Sequence, residues 1–168
     1  MADPFAELGV PRRFGLPMKE VAQRHRDLSR TLHPDRHASA SPAERRVALE
    51  RAVAVNEAWR VIRDPLARAL ALLDLHGAPL RDADRATPAL LMEVMELREA
   101  LESARGDAAA IAPLRAQVQA HIAAEEGALA DALDGDVVDA PALQRARDAA
   151  VKLKYYRRFE EEAEAMEE

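Results

Sequence analysis

The stretch Val21-Ala22-Gln23-Arg24-His25-Arg26-Asp27-Leu28-Ser29-Arg30-Thr31-Leu32-His33-Pro34-Asp35 decides how this chain is read. At 100° per residue, Val21, His25, Leu28 and Leu32 fall on one stripe, the core face of an amphipathic helix over about 17–32. Lys19, Arg26 and Arg30 fall on the opposite face, with Gln23 between them. Pro17 suits the first turn of this helix. Pro34 stops it, because the residue before a proline is pushed out of helical backbone. His33, Pro34 and Asp35 then stand on a stiff turn beside a basic helical face. Charge pattern alone reads that face as solvated. Polar residues fixed on a turn next to it are placed to touch a partner.

Working outward, proline and glycine punctuate the rest of the chain. A short helix follows Pro4. After a loop over 33–41, Ser41 caps a helix from Pro42 to about Arg63. Asp64-Pro65 reads as cap and first-turn proline of the next helix, which ends at Gly77. Residues 77–86 are charged and non-periodic and read as a linker. Thr87-Pro88 opens a helix to about Ser103, which Gly106 breaks. A further helix is expected over 107–133, with Pro113 either kinking it or marking its start. Gly135 ends it, and a last helix covers about Pro141 to Ala165.

Composition agrees with an all-α fold. Alanine occurs 37 times in 168 residues, while Val, Ile and Thr together number 16, which favours helix over sheet. Aromatics are 4%, so the core is expected to be thin. The charge of −6 is uneven: residues 1–76 carry a net +3 and residues 77–168 a net −9. Opposite signs suggest two domains with different partners. The expected division is a domain over 1–76, the linker 77–86 and a three-helix bundle over 87–168.

The absence of cysteine excludes disulfides, thiolate zinc sites and a cysteine nucleophile. No P-loop, dinucleotide fingerprint or Gly-x-Ser-x-Gly elbow is present, and no enzyme activity is expected. His33 and His37 have helical metal-pair spacing, but Pro34 between them breaks the helix that such a site needs, so no metal or other cofactor is expected. The net negative charge and lack of a stacking platform argue against nucleic acid as a partner. No membrane span or secretory signal is evident, and a cytoplasmic protein is the expectation.

The segment around His33-Pro34-Asp35 resembles the J-domain of DnaJ-type co-chaperones, which carry this tripeptide between their second and third helices. Val55-Asn56-Glu57-Ala58-Trp59, running on to Asp64-Pro65, resembles the family's apolar-Asn-x-Ala-aromatic stretch. The resemblance implies docking on a HscA/DnaK-type chaperone and stimulation of its ATPase. It assigns His33, Pro34 and Asp35 to the contact, with Asp35 engaging a chaperone arginine. Lys19, Arg26 and Arg30 would meet an acidic surface. Leu32, His37 and His25 stand where the family often has aromatics.

The second half narrows the resemblance. The ending Leu72-Leu73-Asp74-Leu75-His76-Gly77 and the stretch Leu91-Met92-Glu93-Val94-Met95-Glu96-Leu97-Arg98-Glu99-Ala100-Leu101 are similar to HscB-type co-chaperones of iron–sulfur cluster assembly. On the helical wheel Leu90, Val94, Leu97 and Leu101 form the core stripe, and Met92 and Met95 lie roughly 130–190° away. Outward apolar residues beside carboxylates suggest a binding surface. The resemblance implies that an IscU-type scaffold binds there, through Leu91, Met92, Met95, Glu96, Glu99 and Tyr155. Leu91 sits at the edge of the core face, and periodicity leaves its side open. Tyr155 and Tyr156 point about 100° apart, so both cannot be core, and which one is exposed stays open. A general J-protein for other clients, or a helical adaptor without a chaperone role, remains the alternative.

Overall fold

The computed structural model describes residues 3–37 and 39–167. Positions 1, 2 and 168 of the expected domains, and Ala38 of the expected loop, lie outside them. The chain divides into two compact units, Met1–His76 and Gly77–Glu168. All regular structure among the described residues is helical.

In the first unit, α1 (Pro4–Leu8) precedes the long pair α2 (Met18–Thr31) and α3 (Pro42–Arg63), and α4 (Pro65–Leu75) closes it. His25 meets Asn56 and Trp59, while Leu32 lies by Ala48, so α2 and α3 run antiparallel. Each boundary has a local cause. Ser41 and Glu44 exchange hydrogen bonds as a capping box: Ser41 N–H donates to Glu44 Oε2 at 2.8 Å and Glu44 N–H to Ser41 Oγ at 3.3 Å. That bond from the Ser41 amide is the main reason the Glu44 carboxyl titrates below its ordinary value. Asp64 accepts from Ala67 N–H at 2.7 Å and starts α4 where Pro65 supplies the first turn. Gly77 has φ 68°, the left-handed backbone that glycine adopts without penalty.

The core of this unit sits away from the His-Pro-Asp turn. Phe5, Leu8, Phe14, Val21, Val55, Ile62, Leu72 and Leu73 are buried. Arg68 is buried with them. Its guanidinium donates to the Ile62 carbonyl at 2.7 Å, where α3 ends, and lies over the Phe14 ring at 4.6 Å. Of the expected stripe on α2, Val21 is fully buried; His25, Leu28 and Leu32 are half-buried. Opposite Leu32, α3 presents only the small Ala48 as a buried residue.

The second unit is built from α5 (Pro88–Ser103), α6 (Ala108–Leu133) and α7 (Ala140–Glu167). Asp107 and Asp139 cap the two long helices through their side chains. Pro113 lies inside α6 and neither starts nor ends it. The carbonyl it leaves without a helical partner belongs to Ala109, which is exposed to water. Residues 77–86, expected as a linker, pack as part of this unit. Leu80 and Ala86 lie against its core, and Arg147 Nε approaches Asp84 at 3.7 Å. Charged sequence hid this, because the two apolar anchors are six residues apart and follow no period.

Alanine shapes the α6–α7 pair, the most extensive helix contact in the unit. Ala132, Ala142, Ala146, Ala149 and Ala150 are buried beside Leu129, Leu133 and Leu153. Small side chains let two helices approach closely. At the α5 side the core is heavier: Leu90, Val94, Leu97 and Leu101 meet Ile111, Val118, Tyr156 and Phe159. Tyr156 is 3% exposed, so it is the core tyrosine. Its hydroxyl donates to Glu93 Oε1 at 3.1 Å, and its ring stacks on His121 at 4.8 Å. His121 Nε2 lies 3.3 Å from the same Glu93 oxygen, so one carboxylate ties α5 to both other helices.

Burial, then the Glu93 bond and charge, push the Tyr156 hydroxyl up from 10.0 to about 12. In the unfolded chain it ionises near its ordinary value. Its contribution to stability is therefore complete below pH 10 and is lost as pH rises toward about 12. Urea midpoints across that interval are expected to fall more steeply for the wild type than for Tyr156→Phe.

Candidate functional site

The first unit places its polar groups on a turn that α2 and α3 hold from both sides. Pro34–His37 forms one turn of 3-10 helix. Asp35 is its outermost group, with a side chain 91% exposed. The Asp35 backbone N–H donates to His33 Nδ1 at 3.3 Å, and Asp35 Oδ2 lies 3.6 Å from the same nitrogen. The imidazole thus organises the turn while leaving the carboxylate open to solvent.

Lys19, Arg26 and Arg30 are exposed on α2, as its periodicity predicts. Arg26 is steadied by Gln23 Oε1 at 2.7 Å and Arg30 by Asp27 at 3.6 Å. Arg24 does a different job: its Nε donates to the Leu8 carbonyl and fastens α2 to the end of α1. Sequence reasoning did not single out Arg36, Arg45, Arg46 and Arg51, which are also exposed. They sit in the turn and on α3, so a pattern read along α2 cannot find them.

Behind this face lies the pairing of α2 with α3. His25 stacks on Trp59 at 5.1 Å, and its Nε2 is 3.0 Å from Asn56 Oδ1 and 3.2 Å from Ser29 Oγ. Asn56 and Trp59, quoted above as part of a family-like stretch, are thereby partners of His25. A polar ring with two hydrogen-bonding neighbours replaces an aromatic at this site.

The second unit exposes a different chemistry. Leu91, Met92 and Met95 are 41%, 63% and 60% exposed. Glu96 and Glu99 are exposed beside them, one helical turn on. Leu91, open on periodicity, faces outward. Tyr155 is half-buried and lines a groove with Leu91, Leu80, Ala86, Val151 and Lys154. The structure therefore brings Tyr155 of α7 to Leu91 of α5, two residues far apart in sequence. It also adds Lys154 and Arg85 to the groove, which sequence reasoning did not select. Arg98 holds α5 against α7 through two bonds to Glu162, at 2.8 and 2.7 Å.

Comparison with known proteins gives these surfaces a setting. Residues 86–164 match the family described as the HSCB C-terminal oligomerisation domain. Curated co-chaperone protein HscB homologues align over most of the chain. The one from Bordetella avium is 37% identical over 148 residues, covering 87% of this chain and 88% of its own. This chain belongs to the HscB family. The Bordetella pertussis homologue is 44% identical over 119 residues, 70% of each chain. Chaperone HscB from Vibrio cholerae superposes with a TM-score of 0.85 at 32% identity, covering 99% of this chain and 98% of its own. Human co-chaperone HscB superposes at 0.86 with 25% identity, covering 98% and 82%. The HscB fold accounts for the two units as an N-terminal J-domain and a C-terminal helical bundle. No helix among the described residues is long and apolar enough to cross a membrane.

The outward and inward faces of α5 are expected to separate in stability measurements. Leu97→Ala removes a buried side chain and costs about 2–5 kcal/mol. Met95→Ala, on the exposed face, costs under about 0.5 kcal/mol. Chemical denaturation of the two variants checks the assignment.

Proposed function

We propose that this HscB-family protein stimulates the ATPase of a HscA/DnaK-type chaperone and delivers an IscU-type scaffold to it. Delivery promotes maturation and transfer of the iron–sulfur cluster, which is the scaffold's cargo. The protein itself performs no chemistry, needs no cofactor and acts in the cytoplasm. One observation carries the reading: a single chain presents an exposed His33-Pro34-Asp35 turn beside Lys19, Arg26 and Arg30, and separately an exposed Leu91, Met92 and Met95 patch rimmed by Glu96 and Glu99.

Each surface suits its partner physically. A basic face speeds and orients encounter with an acidic chaperone surface. The free Asp35 carboxylate then pairs with an arginine, a charge-assisted contact that fixes the turn in place. Stimulation requires that this contact be stronger in the hydrolysis-competent state than in the resting state. On α5, apolar side chains supply the buried centre of an interface, and methionine adapts its shape to the partner. Glu96 and Glu99 form the polar rim, and Tyr155 adds an aromatic anchor at its edge.

Single-turnover ATPase of the cognate chaperone, with and without scaffold, tests the first surface. His33→Gln is expected to lose roughly tenfold or more of the stimulation, the scale of a removed hot spot. Equal stimulation by both proteins overturns the role of the turn, and stimulation without any scaffold dependence favours a general J-protein. Calorimetry tests the second surface. Met92→Ala with Met95→Ala is expected to weaken scaffold binding by roughly tenfold or more. Unchanged affinity would sink the assignment of that face.

A further inference from the structure

His37 does something that neither its neighbours nor the motif explain. Its Nε2 lies 3.1 Å from the backbone carbonyl oxygen of Thr31. A carbonyl only accepts, so the imidazole must donate, and Nε2 carries the proton. Thr31 is the last residue of α2, and its carbonyl is one that the helix itself leaves without a partner. A donor at this negative end of the helix is favoured by charge as well as by geometry. The bond starts and ends on either side of His33, Pro34 and Asp35, and so closes a loop around them.

The turn also packs against α3. The bonds within the turn, Arg36 N–H to the His33 carbonyl at 3.0 Å and Asp35 N–H to His33 Nδ1 at 3.3 Å, shape it without tying it to the helix. Leu32 and His37 rest against Ala48, whose small side chain leaves open grooves on both sides of it. Below Pro34 the groove is lined by Leu32, Arg45, Ala48 and Leu49. The bond from the ring adds a directional tie to that packing.

We propose that His37 is a positioning residue for the His33-Pro34-Asp35 turn, clamping it to the end of α2 by donating Nε2–H to the Thr31 carbonyl. This rests on the reading of the turn as the chaperone contact. The clamp removes conformations of the turn that cannot dock, so the cost of ordering it is met before binding. Both the neutral Nε2–H form and the imidazolium keep the donor, so the clamp does not depend on protonation of the ring.

The test uses the full chain and the cognate HscA/DnaK-type chaperone. His37→Leu keeps apolar bulk of similar reach to glutamine but has no donor. His37→Gln keeps an N–H donor at the corresponding reach. His37→Leu is expected to raise the concentration giving half-maximal ATPase stimulation by roughly three- to tenfold, the worth of one hydrogen bond. Its rate at saturation is expected to stay near that of the wild type, and His37→Gln to recover most of the lost affinity. The dependence on salt should match the wild type in both, because Lys19, Arg26 and Arg30 are untouched. A nitrogen–proton correlation spectrum of the His37 ring should show Nε2 protonated. The proposal is overturned if His37→Leu stimulates like the wild type, if His37→Gln is as impaired as His37→Leu, or if Nε2 carries no proton. A wild-type chain that does not stimulate the chaperone overturns the docking reading and this inference with it, whereas a defect-free His37→Leu removes the clamp alone.

Discussion

Scarcity of large apolar side chains constrains everything else in this protein. Alanine occupies 37 of 168 positions and aromatics 4%, so each unit has to close its core with a few bulky residues and fill the rest by close approach. In the first unit Phe5, Phe14 and Ile62 gather at one end of the α2–α3 pair. In the second, Tyr156 and Phe159 fill the space under α5, and alanines line the contact of α6 with α7. Where bulk runs out, polar contacts replace it. His25 stacks on Trp59 and bonds Asn56, Arg68 caps α3 from within the core, and Glu93 joins Tyr156 to His121. These are directional, so they specify register at places where apolar packing alone would let helices slide.

The same shortage bears on the two candidate surfaces. With so few apolar side chains available to bury, leaving Leu91, Met92 and Met95 in water is a cost that the bundle carries without any gain in its own stability. A partner that covers them recovers that cost. The first unit has the opposite chemistry, with an exposed carboxylate on Asp35 and guanidinium groups along α2. In the proposed function, charge dominates one surface and apolar contact the other, and salt screens only the first strongly. The two surfaces therefore differ in chemistry as well as in place.

Much of this is legible in the sequence. Prolines at positions 34, 42, 65 and 88 mark helix boundaries because each restricts the residue before it, and helices begin or stop there. The α5 stripe Leu90, Val94, Leu97 and Leu101 is buried as its spacing demands. The exposure of Met92 and Met95 follows from the same wheel. Other features were hidden. Half-burial of Leu32 depends on Ala48, a residue on another helix. Leu80 and Ala86 belong to the bundle although their segment is charged and has no period. Arg85 and Lys154 reach the Tyr155 groove from segments that no local pattern connects.

Periodicity, prolines and caps are properties of neighbouring residues, so the sequence by itself determined the helices, their inward and outward faces and the exposed polar turn. The choice between Tyr155 and Tyr156 was different in kind. Both lie on α7 about 100° apart, and either orientation is compatible with the helix. Glu93 and His121 stand where they can receive Tyr156, and Leu91 stands where it borders Tyr155. The bond from His37 to Thr31 likewise depends on how the chain turns back after Pro34. Contacts between residues distant along the chain are set by the packing of whole helices, and only the tertiary structure decided them.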